Sequence, residues 1–372
     1  MNQSQFEEAR YGIDSYQEWL AKERLPVREG LAIDCFEVET ADWARTGVKG
    51  AVLHLKGRGD FTNTMLLDIP AAKSTTPQRH LYEEVVYVLQ GRGNTQLELP
   101  SGEKRSFEWG PKSLFAVPLN ATYRHFNGSG AERALLVCTT SLPLMLNVFH
   151  NERFIFDNPF HFDDRIGKEE YFTGGGDLHL VRQGNNSWET NFVPDLGCIE
   201  LPGYSDRGAG GATLLFLLAD STMHAHISEM PTGTYKKAHR HPAGYHVMCV
   251  EGSGFSLMWY DGTPEFVRID WKNGVVFPPA DQQFHQHFTT SETSARYLAT
   301  GAFGSLRYPI TRGNRRMLLG VEPGEKPALS LSVKKGGDQI EYEDQDPRIH
   351  PMWLDEMKKR NMVPRMDRFF SA

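Results

Sequence analysis

Cysteine is scarce in this chain: Cys35, Cys138, Cys198 and Cys249 are spread over 372 positions with no close pair. Neither a disulfide framework nor a cysteine-type zinc site is expected, and a reducing compartment fits. Basic residues are in deficit, 40 Lys and Arg against 47 Asp and Glu, for a formal net charge of -7. That balance gives no general attraction to nucleic acid or to an anionic membrane surface, and neither is expected as a partner. No helix-turn-helix pattern or basic patch is visible, which argues against a transcription regulator. Long apolar runs are missing too, since nothing approaches the ~18 residues a membrane helix requires. Glu7, Glu8, Arg10, Asp14 and Glu18 interrupt any apolar core of a secretory signal, so the expected location is cytoplasmic.

Glycine and proline, by contrast, are plentiful, 35 and 21 residues. They favour many turns and short strands over long helices. The chain also repeats itself. Asp68 to Gly93 aligns with Glu229 to Gly254 at a constant offset, placing His80 on His241, Gly91 on Gly252 and Gly93 on Gly254. One residue of slip later, F-E-W at 107–109 meets I-D-W at 269–271, and R-H-F-N at 124–127 meets Q-H-F-T at 286–289. Each copy reads as short β-branched or aromatic runs closed by glycine or proline. The expectation is an all-β chain of two barrels or jelly rolls with a few peripheral helices. Those helices are expected over Phe6 to Lys22, Leu142 to Asn151 and Ile349 to Asn361. The run Lys334 to Asp346 is expected to be solvated.

The division expected is an N-terminal helical arm (1–45), a first barrel with a degenerate motif (46–156) and a linker (157–210). A second barrel (211–310) and a C-terminal tail with a helix (311–372) complete it. Paired barrels with open sheet edges suggest a homodimer.

Histidines gather in the second copy: H-R-H at 239–241, His246, and H-Q-H at 285–287. On a strand, residues i and i+2 share a face, so His239 projects with His241 and His285 with His287. Two such strands facing each other bring several imidazoles to one point. That donor set suits Fe, Mn, Ni, Zn or Cu. His224 and His226 on the preceding strand can face the same cavity or stay ordinary strand residues. Lys236, Lys237 and Arg240 bracket the cluster and can draw an anionic small molecule, although a solvated loop is the expected setting of the two lysines.

Gly233, five residues, His239-Arg240-His241, then His246 and Gly252 resemble the first cupin motif, G(X)5HXH(X)3–4E(X)6G. Gly274, Pro279 and His285 resemble the second, G(X)5PXG(X)2H(X)3N. The chain is similar to bacterial bicupins over most of 50–140 and 212–305. The resemblance implies a jelly-roll barrel holding one divalent metal per chain through His239, His241 and His285, with His246 in place of the motif glutamate. The fit is imperfect. His246 to Gly252 is one residue short, so Tyr245 aligns with Glu84 of the first copy; Asp281 stands where a glycine is expected; His287 faces the same way as His285 and can replace it. The first copy keeps His80, Glu84 and His125 but has Gln78 and Tyr123 at two ligand positions.

Several cupin dioxygenases use an all-histidine triad, so the resemblance favours Fe(II) and oxidative cleavage of a small oxygenated or aromatic substrate. His287 or Tyr245 would then be the acid/base group. The alternative is a non-oxidative enzyme (isomerase, decarboxylase, lyase or hydrolase) using the metal as a Lewis acid. A third reading is a non-catalytic small-molecule-binding cupin.

Overall fold

In a computed structural model, residues 12–99, 101–182, 185–322 and 324–370 are described. Phe6, at the start of the first expected helix, lies outside them. The helix itself spans Ser15–Glu23, starting where the Asp14 carboxylate caps the amides of Tyr16 and Gln17. Its apolar face, Tyr16, Trp19 and Leu20, is buried in the first barrel's core. The second expected helix spans Leu142–Phe149, with a separate short helix, Glu152–Phe156, following it, and the third spans Ile349–Lys359. No described helix is long and apolar enough to cross a membrane.

Four sheets build two barrels. In the first, strands Val48–Leu55, Asn63–Ile69, Ala134–Thr140, Glu84–Gln90 and Leu114–Ala116 lie side by side in that order, facing a three-stranded sheet. In the second, Ala212–Leu218, His224–Met230, Ala295–Gly301, Tyr245–Glu251 and Val275–Phe277 repeat the order, facing Ser253–Trp259, Phe284–Thr289 and their neighbours. The repeated glycines have a packing reason. A Cβ on Gly93 would lie 2.0 Å from the Phe126 carbonyl, and one on Gly254 would lie 2.1 Å from that of Phe288, so no larger residue fits at either position, each near the start of its strand.

The expected boundaries differ from the observed ones in a regular way. Ile33–Asp34, in the N-terminal arm, pairs with Val275–Phe277 at the edge of the second barrel. Phe192–Val193, in the expected linker, pairs with Leu114–Ala116 at the equivalent edge of the first. Val27–Gly30 and Asn185–Thr190 run parallel to the first strands of their own barrels. Each repeat therefore begins earlier than its motif and lends a strand to the other barrel. The expected linker is largely structured, because exposed sheet edges are satisfied by pairing.

Between the barrels the two large sheets pack face to face. Leu53, Leu66, Val85 and Val137 meet Phe216, Ile227, Met248 and Leu298 in one apolar cluster. Thr139 and Thr300, equivalent in the repeat, touch hydroxyl to hydroxyl at 2.7 Å across it, as a pseudo-two-fold axis requires. The run from Lys334 to Asp346, expected to be solvated, supplies strand Gln339–Ile340, which pairs with Ala238–His239. Ile349, Trp353 and Met357 of the last helix cover the outer face of the same sheet against Tyr235, Phe255 and Phe288.

Candidate metal centre and cavity

The two-residue strand Ala238–His239 pairs with Phe284–Thr289, setting His239 directly opposite His285. His241 joins them, and one ring nitrogen from each of the three lies within 4.8 Å of the others. The centroids of the His239 and His285 rings are 4.0 Å apart, and those of His241 and His285 4.7 Å. Backbone carbonyls orient two of the rings: His241 Nδ1 donates to Pro242 O at 2.8 Å and His285 Nδ1 to Gln283 O at 3.0 Å. Each therefore presents a bare Nε2, the outer hydrogen bond that ligating histidines ordinarily show. His239 Nε2 lies 3.0 Å from His285 Nε2, while its buried Nδ1 has no partner among the described residues. Burial holds all three imidazoles below their ordinary pKa, His241 at about 4, so each is neutral at neutral pH. Three neutral, converging nitrogens fit a divalent metal.

His246, expected as a fourth ligand, is not in this group. Strand Tyr245–Glu251 alternates, so Tyr245 and Val247 line the cavity and His246 faces the first barrel. There its Nδ1 meets the Thr64 hydroxyl at 2.6 Å. Tyr245 takes the inward position that Glu84 holds in the first copy. Its ring packs on His241 and His224, with centroids 4.7 and 5.0 Å apart, and its hydroxyl is buried without a partner among the described residues. Burial raises that phenol well above its ordinary pKa.

His287 also lines the cavity, but its Nδ1 is tied to Ser256 Oγ at 2.7 Å, which accepts from Trp271 Nε1 at 3.0 Å. The first barrel holds the same trio: His125 Nδ1 with Thr95 at 2.8 Å, and Trp109 donating to Thr95 at 3.0 Å. A trio present in both barrels answers to barrel construction, which separates His287 from His285.

In the first barrel His80 Nε2 is occupied by the Tyr123 hydroxyl at 2.9 Å, and that hydroxyl donates to Glu84 at 2.8 Å. Burial pushes the Glu84 carboxyl up, but His80, His125 and Tyr123 outweigh it and hold the group below its ordinary value. His80, Glu84 and His125 thus belong to hydrogen-bonded clusters, and the second barrel's triad is the one group of metal-ligating geometry among the described residues.

The triad opens on a cavity whose described lining includes Arg207 and Lys236 and no Asp or Glu. Lys236, expected in a solvated loop, is buried; its amide donates to the His287 carbonyl at 3.0 Å. Burial and then Arg207 lower its ammonium from 10.5 to about 7. Arg207 donates to neutral acceptors, the Leu329 carbonyl and Gln339 Oε1. Glu229, which acts on Lys236 through space, is itself bound by Arg296 at 2.7 Å. Lys237 and Arg240 point elsewhere, to Glu341 and to Asp338. Sequence reasoning missed Arg207 altogether, for it stands far from the motif in the expected linker.

No family model matches the chain, and no curated protein does. Among solved structures it is similar to vicilin from Corylus avellana (hazelnut), at 11% identity and a TM-score of 0.46 over 73% of this chain and 85% of that one. It is similar to the oxalate decarboxylase of Lactobacillus farciminis, at 10% identity and a TM-score of 0.48 over 73% and 86% of the two chains. A variant of Bacillus subtilis oxalate decarboxylase gives 11%, 0.48, 74% and 78%. With two barrels of one strand order in a single polypeptide, the chain is a bicupin in fold.

Proposed function

We propose that this protein is a metal-dependent enzyme of the non-oxidative kind, acting in its C-terminal barrel on a small carboxylate-bearing substrate. The observation that carries this is the pairing of three neutral, converging imidazoles with a cavity lined by three cations, Arg182, Arg207 and Lys236, and by no carboxylate among the described residues. His239, His241 and His285 would hold the metal. When bound, a divalent ion there supplies Lewis acidity toward a carbonyl or carboxylate oxygen. Three neutral ligands leave its charge undiminished, and Arg207 and Lys236 add to it, so the site favours an anion. Arg207 and Lys236 orient the substrate's carboxylate, and Met317 and Leu318 close the apolar side of the cavity and limit water. The cations of the cavity favour an anionic substrate that Lewis-acid chemistry can use directly, and the oxygen-using reading drawn from the motif is the alternative that the experiment below separates from it.

Metal analysis of untagged protein tests this. About one divalent ion per chain is expected, lost in His239→Ala and His285→Ala but kept in His246→Ala, whose side chain faces the other barrel. Wild-type protein that carries no metal, or that loses it only with His246, sinks the assignment. Turnover coupled to oxygen consumption would return it to the dioxygenase expected from the sequence.

A further inference from the structure

Strand His224–Met230 begins with two imidazoles outside the triad, both lining the same cavity. His224 Nδ1 lies 2.9 Å from the Gly304 carbonyl oxygen, and His224 Nε2 lies 2.6 Å from His226 Nδ1. A carbonyl oxygen only accepts, so the hydrogen of neutral His224 sits on Nδ1 and its Nε2 is a bare acceptor. The 2.6 Å contact needs a hydrogen, which must then sit on His226 Nδ1. That leaves His226 Nε2 with a lone pair and no hydrogen-bond partner among the described residues. His224 is fully enclosed, whereas His226 keeps partial exposure to the cavity. Two rings are thus locked into one tautomeric order, anchored on a backbone carbonyl at one end and ending in a free base at the other.

We propose that His226 is the catalytic proton acceptor of this site and His224 the residue that positions it, acting on the carbon acid of a 2-oxo carboxylate. The inference rests on the metal-enzyme reading above. With the substrate's carboxylate at Arg207 and Lys236, a C–H bond beside its carbonyl breaks. The proton goes to His226 Nε2 and the electron pair stays on the substrate as its enolate. The Nδ1 hydrogen of His226 can pass to His224 Nε2, which settles the positive charge beside the Gly304 carbonyl. Return of a proton to the same carbon restores both rings, with no net oxidation. In the empty cavity, burial and then the neighbouring His224, Lys236 and Arg207 disfavour a proton on His226. A bound anion offsets those cations, so the base strengthens once substrate is seated. Tyr245 and His287, the residues expected in this role, are less suited: one is a buried phenol with a raised pKa, the other is tied into the repeated tryptophan trio.

Two measurements on the full chain test this. In zinc-loaded protein labelled with nitrogen-15 at histidine, long-range proton–nitrogen spectra assigned through ring-to-backbone correlations should show His224 and His226 both as Nδ1–H tautomers. An Nε2–H tautomer at His226 overturns the relay. In heavy water, metal-loaded protein should exchange the C3 protons of pyruvate or 2-oxobutyrate for deuterium. His226→Gln should lower that exchange at least about 100-fold, and His224→Gln about 10-fold or more, with metal content unchanged. Exchange that persists in His226→Gln, or is absent from wild-type protein shown by calorimetry to bind pyruvate, overturns the relay and leaves the metal reading standing. Wild-type protein without metal removes the reading and the relay together.

Discussion

A lysine ammonium buried with no carboxylate on it is expensive, and Lys236 carries that cost beside the candidate metal centre. The sequence around it, T-Y-K-K-A-H-R-H, gives no sign of burial, because two adjacent lysines ordinarily mark a solvated turn. What buries one of them is a break in alternation: Lys236, in an isolated bridge to Gly208, turns inward, Lys237 reaches out to Glu341, and the strand proper begins only at Ala238, so Lys236 and His239, three apart, face one cavity. Its pKa of about 7 makes it a pH-dependent anion receptor. Charged below that value and neutral above it, Lys236 should hold oxalate, used as a small anionic probe, more tightly at pH 6 than at pH 8.5. In Lys236→Met the affinity should be lower and flatter with pH by calorimetry. Stability moves the other way. The folded pKa lies below the unfolded one, so the penalty is full below about pH 7 and fades as pH rises toward 10.5. Lys236→Met should therefore stabilise the probe-free protein by roughly 1–3 kcal/mol near pH 6 and by less near pH 9; a gain that grows with pH would contradict this. Alternation explains what was legible at the triad. H-x-H pairs announce a shared face on any extended strand, whereas placing His246 required the register of its strand. Its neighbour Tyr245 held the inward position all along, aligned on Glu84.

Short elements were the least legible. Ile33–Asp34 and Phe192–Val193 are two residues each, too short for alternation to show, and neither sits near a turn pair that would mark a hairpin. Yet each closes the edge of the barrel encoded by the other half of the chain. Gln339–Ile340, inside a charged run, is equally short and covers the strand that carries His239. These pairings make a specific forecast. Proline at Ile33 removes a backbone donor opposite Val276 and leaves a ladder group unpaired. Ile33→Pro should cost about 3 kcal/mol, and hydrogen exchange should accelerate at Val275–Phe277, in the second barrel, before it does in the first. Protection lost only around residue 33 would mean that the exchanged strand contributes little to the barrel it joins. Several longer strands were readable because they combine β-branched residues with a glycine or proline stop, and the positive φ of Gly91 and Gly252, with Ala134 and Ala295 close against them, holds two of those stops to glycine.

At the scale of the molecule, the repeat predicts which residues of one barrel answer to which of the other, and the structure permits that correspondence to be used. Gln78 forms an isolated bridge with Tyr123, the same cross-strand register in which His239 faces His285. His80 stands where His241 does, so the first barrel differs from the candidate metal centre chiefly in two side chains. In place of two ligands it has an amide that bonds to the Arg45 carbonyl at 3.0 Å and a phenol that saturates His80 and Glu84. If the backbone of the repeat sets ligand geometry, Gln78→His with Tyr123→His should present three imidazoles in the second barrel's arrangement, with Glu84 close by as a carboxylate. Removing the phenol frees His80 Nε2, and the carboxylate that it had occupied adds a negative charge to the new site. The double variant should then bind about two zinc ions per chain where the wild type binds one, and His239→Ala in that background should leave one. Stoichiometry that stays at one in a variant whose thermal unfolding is otherwise intact would show that the barrels, though alike in strand order, differ in the precise spacing a metal demands.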